Sequence, residues 1–248
     1  MRQIKIRPKF NKIYNPRIGL ITLATDFVIE KDFKNVIKNK NIDFFVNRIT
    51  CYNPLTKNNL LKMSLQITQV TRNILPNEKI DCVVYGCTSG TIASGFKTVE
   101  RKIKLAKPKT KVTTPSSAAI KALKKLKIKK ISVFTPYSKK LNNEVLQFFK
   151  QENFEITSNS YMDIRSDSDI WKIDKNYLYD KLSKLELNNA EALFVSCTAL
   201  PILELIEKLE KKLNKIVLSS NQVLIWDALE NIGRNKSIKG FGSLFKNN

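Results

Sequence analysis

Two cysteines close two similar stretches of the chain: Val83-Val84-Tyr85-Gly86-Cys87-Thr88-Ser89-Gly90 and Leu193-Phe194-Val195-Ser196-Cys197-Thr198-Ala199. Each reads as a buried strand, a tight turn and the start of a helix. A thiol placed there meets free backbone N–H groups and the positive end of a helix dipole, which lower its pKa and bind carboxylates. Two such turns imply two acid/base or nucleophilic sulfurs facing one anionic substrate. Paired thiols need one thiolate and one thiol at neutral pH, so one site must be depressed below the usual value of about 8.5, and helix N-terminal amides supply a reason. The chain has no histidine. That excludes Ser-His-Asp and Cys-His catalysis, His-ligated zinc and histidine general bases, leaving Cys, Asp, Glu, Lys and Tyr to move protons. Cys82, inside a strand, and Cys51, near a strand end, read as core filling, the commonest use of cysteine.

The elements that must carry these turns alternate between strand-length apolar runs and helical patterns, which argues for βα units and a mainly parallel sheet. Strands are expected at Ile18–Leu23, Ile42–Ile49 and Cys82–Tyr85, with helices over 31–38 and 56–75 and another from Ser89 or Gly90 onward. Leu60, Leu61, Leu65, Ile67, Val70 and Ile74 give the second of these helices one apolar face. The second half repeats the layout. A strand at Lys130–Thr135 leads into a Pro136-Tyr137 turn and a helix at Leu141–Gln151. A short strand at Phe154–Thr157, a helix at Leu178–Leu187 and a strand at Ala192–Val195 deliver Cys197. Gly19 to Cys87 spans 68 residues and Val133 to Cys197 spans 64, the trace of an internal duplication. The expected fold class is α/β, with two pseudo-symmetric Rossmann-like halves and the active site in the cleft between them. Residues 1–115 with 218–248 form the half carrying Cys87, and 116–217 the half carrying Cys197. A last strand at Ile216–Ser219 precedes a closing helix at Gln222–Asn231. In open α/β sheets ligands bind beyond the carboxyl ends of strands, where both Cys-Thr turns fall.

At 248 residues and 42% hydrophobic content the chain buries a good core. No apolar run approaches the ~18 residues of a membrane span. The segment Met1–Asn15 is basic and lacks an apolar core, so it reads as a short extension and not a secretory signal. Four cysteines in a chain this long make no disulfide scaffold, and a reduced cytoplasmic location is the expectation. The net charge of +22 invites a nucleic-acid reading, but only eight of the 44 basic residues are arginine, the side chain that specific base contacts favour. The lysines spread along the chain, and the dense run Lys121–Lys130 fits a solvated helix face over 118–127. A solvated surface that helps to collect anionic substrates is therefore preferred to a nucleic-acid interface.

Several further motifs, in this order and spacing, complete the pattern: Arg17-Ile18-Gly19-Leu20-Ile21, Thr114-Pro115-Ser116-Ser117-Ala118-Ala119, Thr135-Pro136-Tyr137 with Leu141-Asn142-Asn143-Glu144, Ser219-Ser220-Asn221-Gln222 before Trp226-Asp227-Ala228-Leu229, and Gly240-Phe241-Gly242-Ser243-Leu244-Phe245. With the two Cys-Thr turns they make the chain resemble the Asp/Glu racemase superfamily, in its maleate isomerase and arylmalonate decarboxylase branch, over nearly its whole length. The resemblance implies an enzyme with neither metal nor organic cofactor. It implies that Thr88, Ser89, backbone amides and Tyr137 hold a substrate carboxylate. Racemases of this kind use two thiols as an acid/base pair on opposite faces of Cα. Maleate isomerases add the first thiol to the double bond, and arylmalonate decarboxylases have glycine in its place. Cys87 and Cys197 are both present, which favours isomerase or racemase over decarboxylase.

Two positions depart from that pattern. Asp26 and Asp167 fall where the isomerases carry asparagines, and a carboxylate there repels a dianion and suits an ammonium group. Each has a plainer reading, Asp26 as a helix N-cap and Asp167 as part of a solvated acidic loop over 163–169. Thr88, Ser89 and Thr198 also read as N-caps, a role compatible with anion binding; Arg165 suits either a distal carboxylate or the surface. The reading reached is a two-cysteine isomerase or racemase of a small carboxylic or amino acid, with Cys87 and Cys197 catalytic and Thr88, Ser89, Tyr137, Thr198, Asp26 and Asp167 lining the substrate. The alternatives are a cofactor-free malonate-type decarboxylase and an anion- or nucleic-acid-binding protein on the same fold. A homodimer is the default expectation.

Overall fold

The computed structural model describes residues 3–10 and 15–246. The basic extension expected over residues 1–15 lies partly outside the described residues; its segment 3–10 is exposed and without regular structure. The first half of the chain runs β1 (Arg17–Leu23), α1 (Ile29–Ile37), β2 (Asp43–Ile49), α2 (Lys57–Ser64), α3 (Ile67–Arg72), β3 (Cys82–Gly86), α4 (Thr88–Ser94), α5 (Phe96–Lys104), β4 (Lys111–Thr113) and α6 (Pro115–Lys125). The second runs β5 (Lys130–Tyr137), α7 (Lys139–Gln151), β6 (Glu155–Ile164), α8 (Asp167–Ile170), α9 (Lys175–Leu182), β7 (Ala192–Val195), α10 (Ile206–Leu213), β8 (Ile216–Ser219) and α11 (Ser220–Asn231).

The strands form two four-stranded parallel sheets, ordered β2-β1-β3-β4 and β6-β5-β7-β8. The order is the same in both, so each half repeats one winding and the α/β fold expected from the sequence is the one present. The interior strands β1, β3, β5 and β7 are apolar over most of their length and buried, as parallel strands covered on both faces must be. Cys87 follows β3 and Cys197 follows β7, the corresponding third strands.

The crossing between halves is made by α11. β8 completes the second sheet, and α11 then packs on β3, β4 and α6 of the first. An ion pair between a buried carboxylate and a half-exposed lysine pins this crossing. The Asp227 carboxylate on α11 accepts from Lys121 Nζ on α6 at 2.9 Å and from the Thr113 hydroxyl at the end of β4. Both α6 and α11 begin with a capping box, Thr114 with Ser117 and Ser219 with Gln222, which fixes where each helix starts.

Three local expectations are corrected, and one strand is added that the sequence does not announce. The single helix over 56–75 is two, because Lys102 Nζ takes the Ser64 carbonyl at 2.8 Å and the chain turns there. Pro136 and Tyr137 lie inside β5 rather than in a turn, with the β5–β6 register irregular beside the proline that lacks an N–H. The short strand at 154–157 extends to the ten-residue β6. β4, three residues flanked by lysines and prolines, carries too little pattern to be seen. Among the described residues no helix is long and apolar enough to cross a membrane.

Candidate active site

Cys87 is the N-cap of α4. Its backbone is extended and its sulfur accepts from the Gly90 N–H at 3.2 Å, with the Ser89 hydroxyl 3.8 Å away. The cysteine, rather than Thr88 or Ser89, therefore occupies the capping position that the sequence suggests for its neighbours. Thr88 turns its hydroxyl to the Ser220 hydroxyl at 2.9 Å.

Cys197 is built differently. The expected helix does not follow it: α10 begins only at Ile206. Pro201 disfavours helical backbone before it, and the Thr198 carbonyl is taken at 2.8 Å by the Asn221 side chain instead of a helical N–H. Cys197 itself has φ of +112°, a conformation costly for any residue with a Cβ and concentrated at functional sites. Its N–H donates to Ser220 Oγ at 3.0 Å, and its sulfur accepts from the Tyr137 hydroxyl and the Ala199 N–H.

Ser220, the first residue of α11, thus touches both cysteine turns. Thr198 adds a second tie, donating across to the Gly86 carbonyl at 3.3 Å. The two thiols are 2% and 4% exposed. Tyr137, Thr88, Ser89 and Thr198 are buried with them.

The two aspartates join the same site and are not surface loop residues. Asp26 is 1% exposed; its Oδ1 accepts from the Val28 and Ile29 N–H groups at 2.7 and 3.0 Å, so it does serve the start of α1. Its Oδ2 has no hydrogen-bond partner. Asp167 is 2% exposed because Thr25 and Asn53 of the other half meet it. The Thr25 hydroxyl donates to its carboxylate at 2.5 Å, and its N–H donates to Asn53 Oδ1 at 3.0 Å. Phe27 stacks on Trp171 outside this contact, with ring centroids 4.4 Å apart. Arg165 has an exposed side chain and contributes its carbonyl to the Leu55 N–H.

Burial decides the electrostatics. It pushes the Cys87 thiol up, more than the Gly90 amide and Ser89 hydroxyl pull it down, and Cys51 and Asp167 add to the rise. Burial also pushes Cys197 well above its ordinary value, with Asp167 and Asp26 adding to it and Tyr137 and Ala199 opposing. This corrects the expectation of a thiol depressed by helix amides: α4 is seven residues long and offers the sulfur one N–H, too little to offset desolvation. The carboxyls move the same way. Burial raises Asp26 against the amides of Ile29 and Val28, the Thr198 hydroxyl and Arg48. Asp167 is raised to about 6, by burial and by Asp26, with Thr25 opposing.

Sequence reasoning missed four contributors. Cys51, read as filler, is half-buried beside Thr25, and burial together with Asp167 pushes it up to about 12. Ser220 and Asn221 belong to the Ser219-Ser220-Asn221-Gln222 motif, whose residue types alone show no role for them. Asp32 showed no signal at all, being one acidic residue on an amphipathic helix. It is buried, accepts from Asn221 Nδ2 at 2.8 Å, and through Asn221 reaches the Cys197 turn. Among the described residues no group of three or more Cys, Asp or Glu side chains is placed to hold a metal ion.

Asp32 has a measurable consequence. Burial raises it to about 7, with Asp26 and Glu204 adding and Asn221 and Lys175 opposing. The folded state then binds a proton that the unfolded state releases near 3.8, so stability falls as pH rises from about 4 to about 7, by up to ~4 kcal/mol. Asp32→Asn keeps an oxygen for Asn221 and carries no charge to desolvate. Its Tm should exceed that of the parent by several degrees at pH 8 and by much less at pH 5, given about 2–4 °C per kcal/mol. Equal Tm differences at both pH values in calorimetry would show that Asp32 does not titrate in this range.

Residues 90–245 match the family model described as arylmalonate decarboxylase. The chain belongs to that family. The match begins three residues beyond Cys87 and contains Cys197. The chain is 23% identical over 242 residues to the maleate isomerase of Geobacillus stearothermophilus, covering 92% of this chain and 96% of that one. It is 26% identical over 136 residues to the arylmalonate decarboxylase of Bordetella bronchiseptica, covering 54% and 57%. A structure of Nocardia farcinica maleate cis-trans isomerase, a cysteine-to-serine mutant with a covalently bound succinylcysteine intermediate, superposes with a TM-score of 0.86. It is 18% identical, and the alignment covers 94% of this chain and 99% of that one. The superfamily branch indicated by the sequence motifs is the branch found.

Proposed function

We propose that this protein is a cofactor-independent isomerase or racemase of a small carboxylic acid that works through Cys87 and Cys197. The observation that carries the reading is the bridged pair of turns: two buried thiols at the ends of corresponding strands, tied to each other through Ser220. The hydroxyls of Thr88, Ser89 and Tyr137 and the amides beside them form the pocket for a substrate carboxylate. In the racemase form one thiolate takes the α-proton and becomes a thiol. The electron pair moves into the carboxylate as an enediolate, and the opposing thiol gives its proton to the other face. In the isomerase form the Cys87 thiolate adds to the alkene carbon, the electron pair moves toward the carboxylate, and rotation precedes loss of the sulfur. Cys197 handles the proton. Each donor to the enediolate contributes ~3 kcal/mol to lowering the barrier.

Within this class the buried carboxylates favour a substrate bearing an amino group. Asp26 Oδ2 lies buried without a hydrogen-bond partner, the Thr198 hydroxyl near the carboxyl being given to the Gly86 carbonyl, and an ammonium supplies a donor. The names of the full-length relatives support a second reading, a maleate-type dicarboxylate, which requires Asp26 to be protonated beside the second carboxylate. Proton NMR in D₂O separates them, with maleate, both enantiomers of aspartate and glutamate, diaminobutyrate and a substituted malonate. Racemisation of an amino acid with deuterium at Cα, abolished in Cys87→Ser and in Cys197→Ser, is the expected result. Conversion of maleate to fumarate selects the second reading, loss of carbon dioxide from the malonate selects decarboxylation, and silence throughout overturns the substrate class.

A further inference from the structure

Tyr85 sits two residues before Cys87 in β3, wholly buried, and its hydroxyl has no hydrogen-bond partner. Its inward neighbours Val83 and Val84 show what the strand otherwise asks for, an apolar side chain. Phenylalanine fills the same space and suits a strand as well, without the desolvation of a phenol. Packing therefore explains the ring and leaves the oxygen unexplained.

Gly90 shows where that oxygen is aimed. A Cβ at position 90 would stand 2.8 Å from the Cys87 sulfur and 2.9 Å from the Tyr85 hydroxyl, so both atoms border the same small space. The third atom at that point is Met63 Cε, at 2.9 Å, which is apolar. The glycine keeps the thiol and the phenol open to each other. The donors the sulfur already has are few: the Gly90 N–H at 3.2 Å and the Ser89 hydroxyl at 3.8 Å.

We propose that Tyr85 is the hydrogen-bond donor that holds the Cys87 sulfur once it is a thiolate, and that Gly90 is present to let the two meet. The proposal rests on Cys87 ionising, as the function above requires. The ionisable groups facing the sulfur are Cys51 from the segment after β2, Asp167 from α8, Tyr137 from β5 and Tyr85 from its own strand. The first two oppose a negative sulfur. Tyr137 is engaged with Cys197, which leaves Tyr85 as the phenol for Cys87.

The test is Tyr85→Phe in the full chain, read by iodoacetamide alkylation of Cys87 across pH, with mass spectrometry resolving each cysteine. The midpoint for Cys87 should rise by about one unit, an approximately tenfold fall in alkylation at neutral pH. The midpoint for Cys197 should stay, which separates loss of a donor from a change in access to the buried site. Tm should hold or rise, since the variant sheds an unpartnered buried hydroxyl. An unchanged Cys87 midpoint overturns the proposal. Loss of the fold does so too, because it would give the hydroxyl a structural partner. Alkylation reads the thiolate without any substrate, so a shifted midpoint in a protein inert toward the acid panel would defeat the isomerase reading and leave the Tyr85 contact standing.

Discussion

Cys87→Ser should lose turnover by about 10³-fold or more while keeping the fold, because serine replaces the sulfur at a position where it caps a helix at least as well. The Gly90 N–H that now donates to Sγ finds the serine Oγ instead. A hydroxyl at this place is neither a nucleophile nor a base at neutral pH. Loss of activity with Tm unchanged is the expected pair of results, and retained turnover would refute the thiol mechanism. Cys197→Ser then distinguishes its two forms. If the first thiol adds to an alkene, intact-protein mass spectrometry of this variant with substrate should show one substrate mass on Cys87. If both thiols exchange protons, the variant should still wash deuterium into one enantiomer while failing to make the other. Full parental turnover in the folded variant would leave Cys197 without a chemical role.

Asp26→Asn should exchange substrate preference. Removing the carboxylate withdraws the charged partner of an ammonium, worth about 1.5–3 kcal/mol for a hydrogen bond to a charged group, or roughly 10–150-fold in kcat/KM for an amino acid. The same change removes a negative charge from beside any second carboxylate, so turnover of maleate should rise. The asparagine Oδ1 still accepts from Val28 and Ile29, and its amide group replaces an oxygen that has no donor, so the fold should be at least as stable. Kinetics on both substrates at one pH decide the matter. A parallel fall for both would mean that Asp26 only shapes the start of α1. Asp167→Asn, at a second carboxyl that burial raises, should push preference the same way.

The strands that deliver the thiols were legible because each is a continuous apolar run ended by a small or polar residue, and the expected Ala192–Val195 and Ile216–Ser219 are the strands present. The repeat of spacing between the halves was legible for the same reason, and both sheets show one strand order. Asp167 was not legible. In an acidic, serine-rich stretch it has the look of a solvated loop, and only Thr25 and Asn53, 142 and 114 residues away, bury it. The backbone at Cys197 escaped notice because its resemblance to the Cys87 turn is one of residue types. The left-handed φ comes from Ser220 and Asn221 holding the turn from another element.

The sequence alone determined the βα repeat, the absence of histidine and hence the dependence on cysteine, and the superfamily branch, since periodicity, composition and motif order are properties of short windows and their spacing. Only the tertiary structure decided that Ser220 joins both turns, that Asp26 keeps a bare oxygen, that Tyr85 faces Cys87 across Gly90, and that both thiols are pushed up instead of down. Those depend on which distant segments meet and how completely they exclude water, and desolvation, a property of the packed whole, outweighs the few amides that the local pattern foretells.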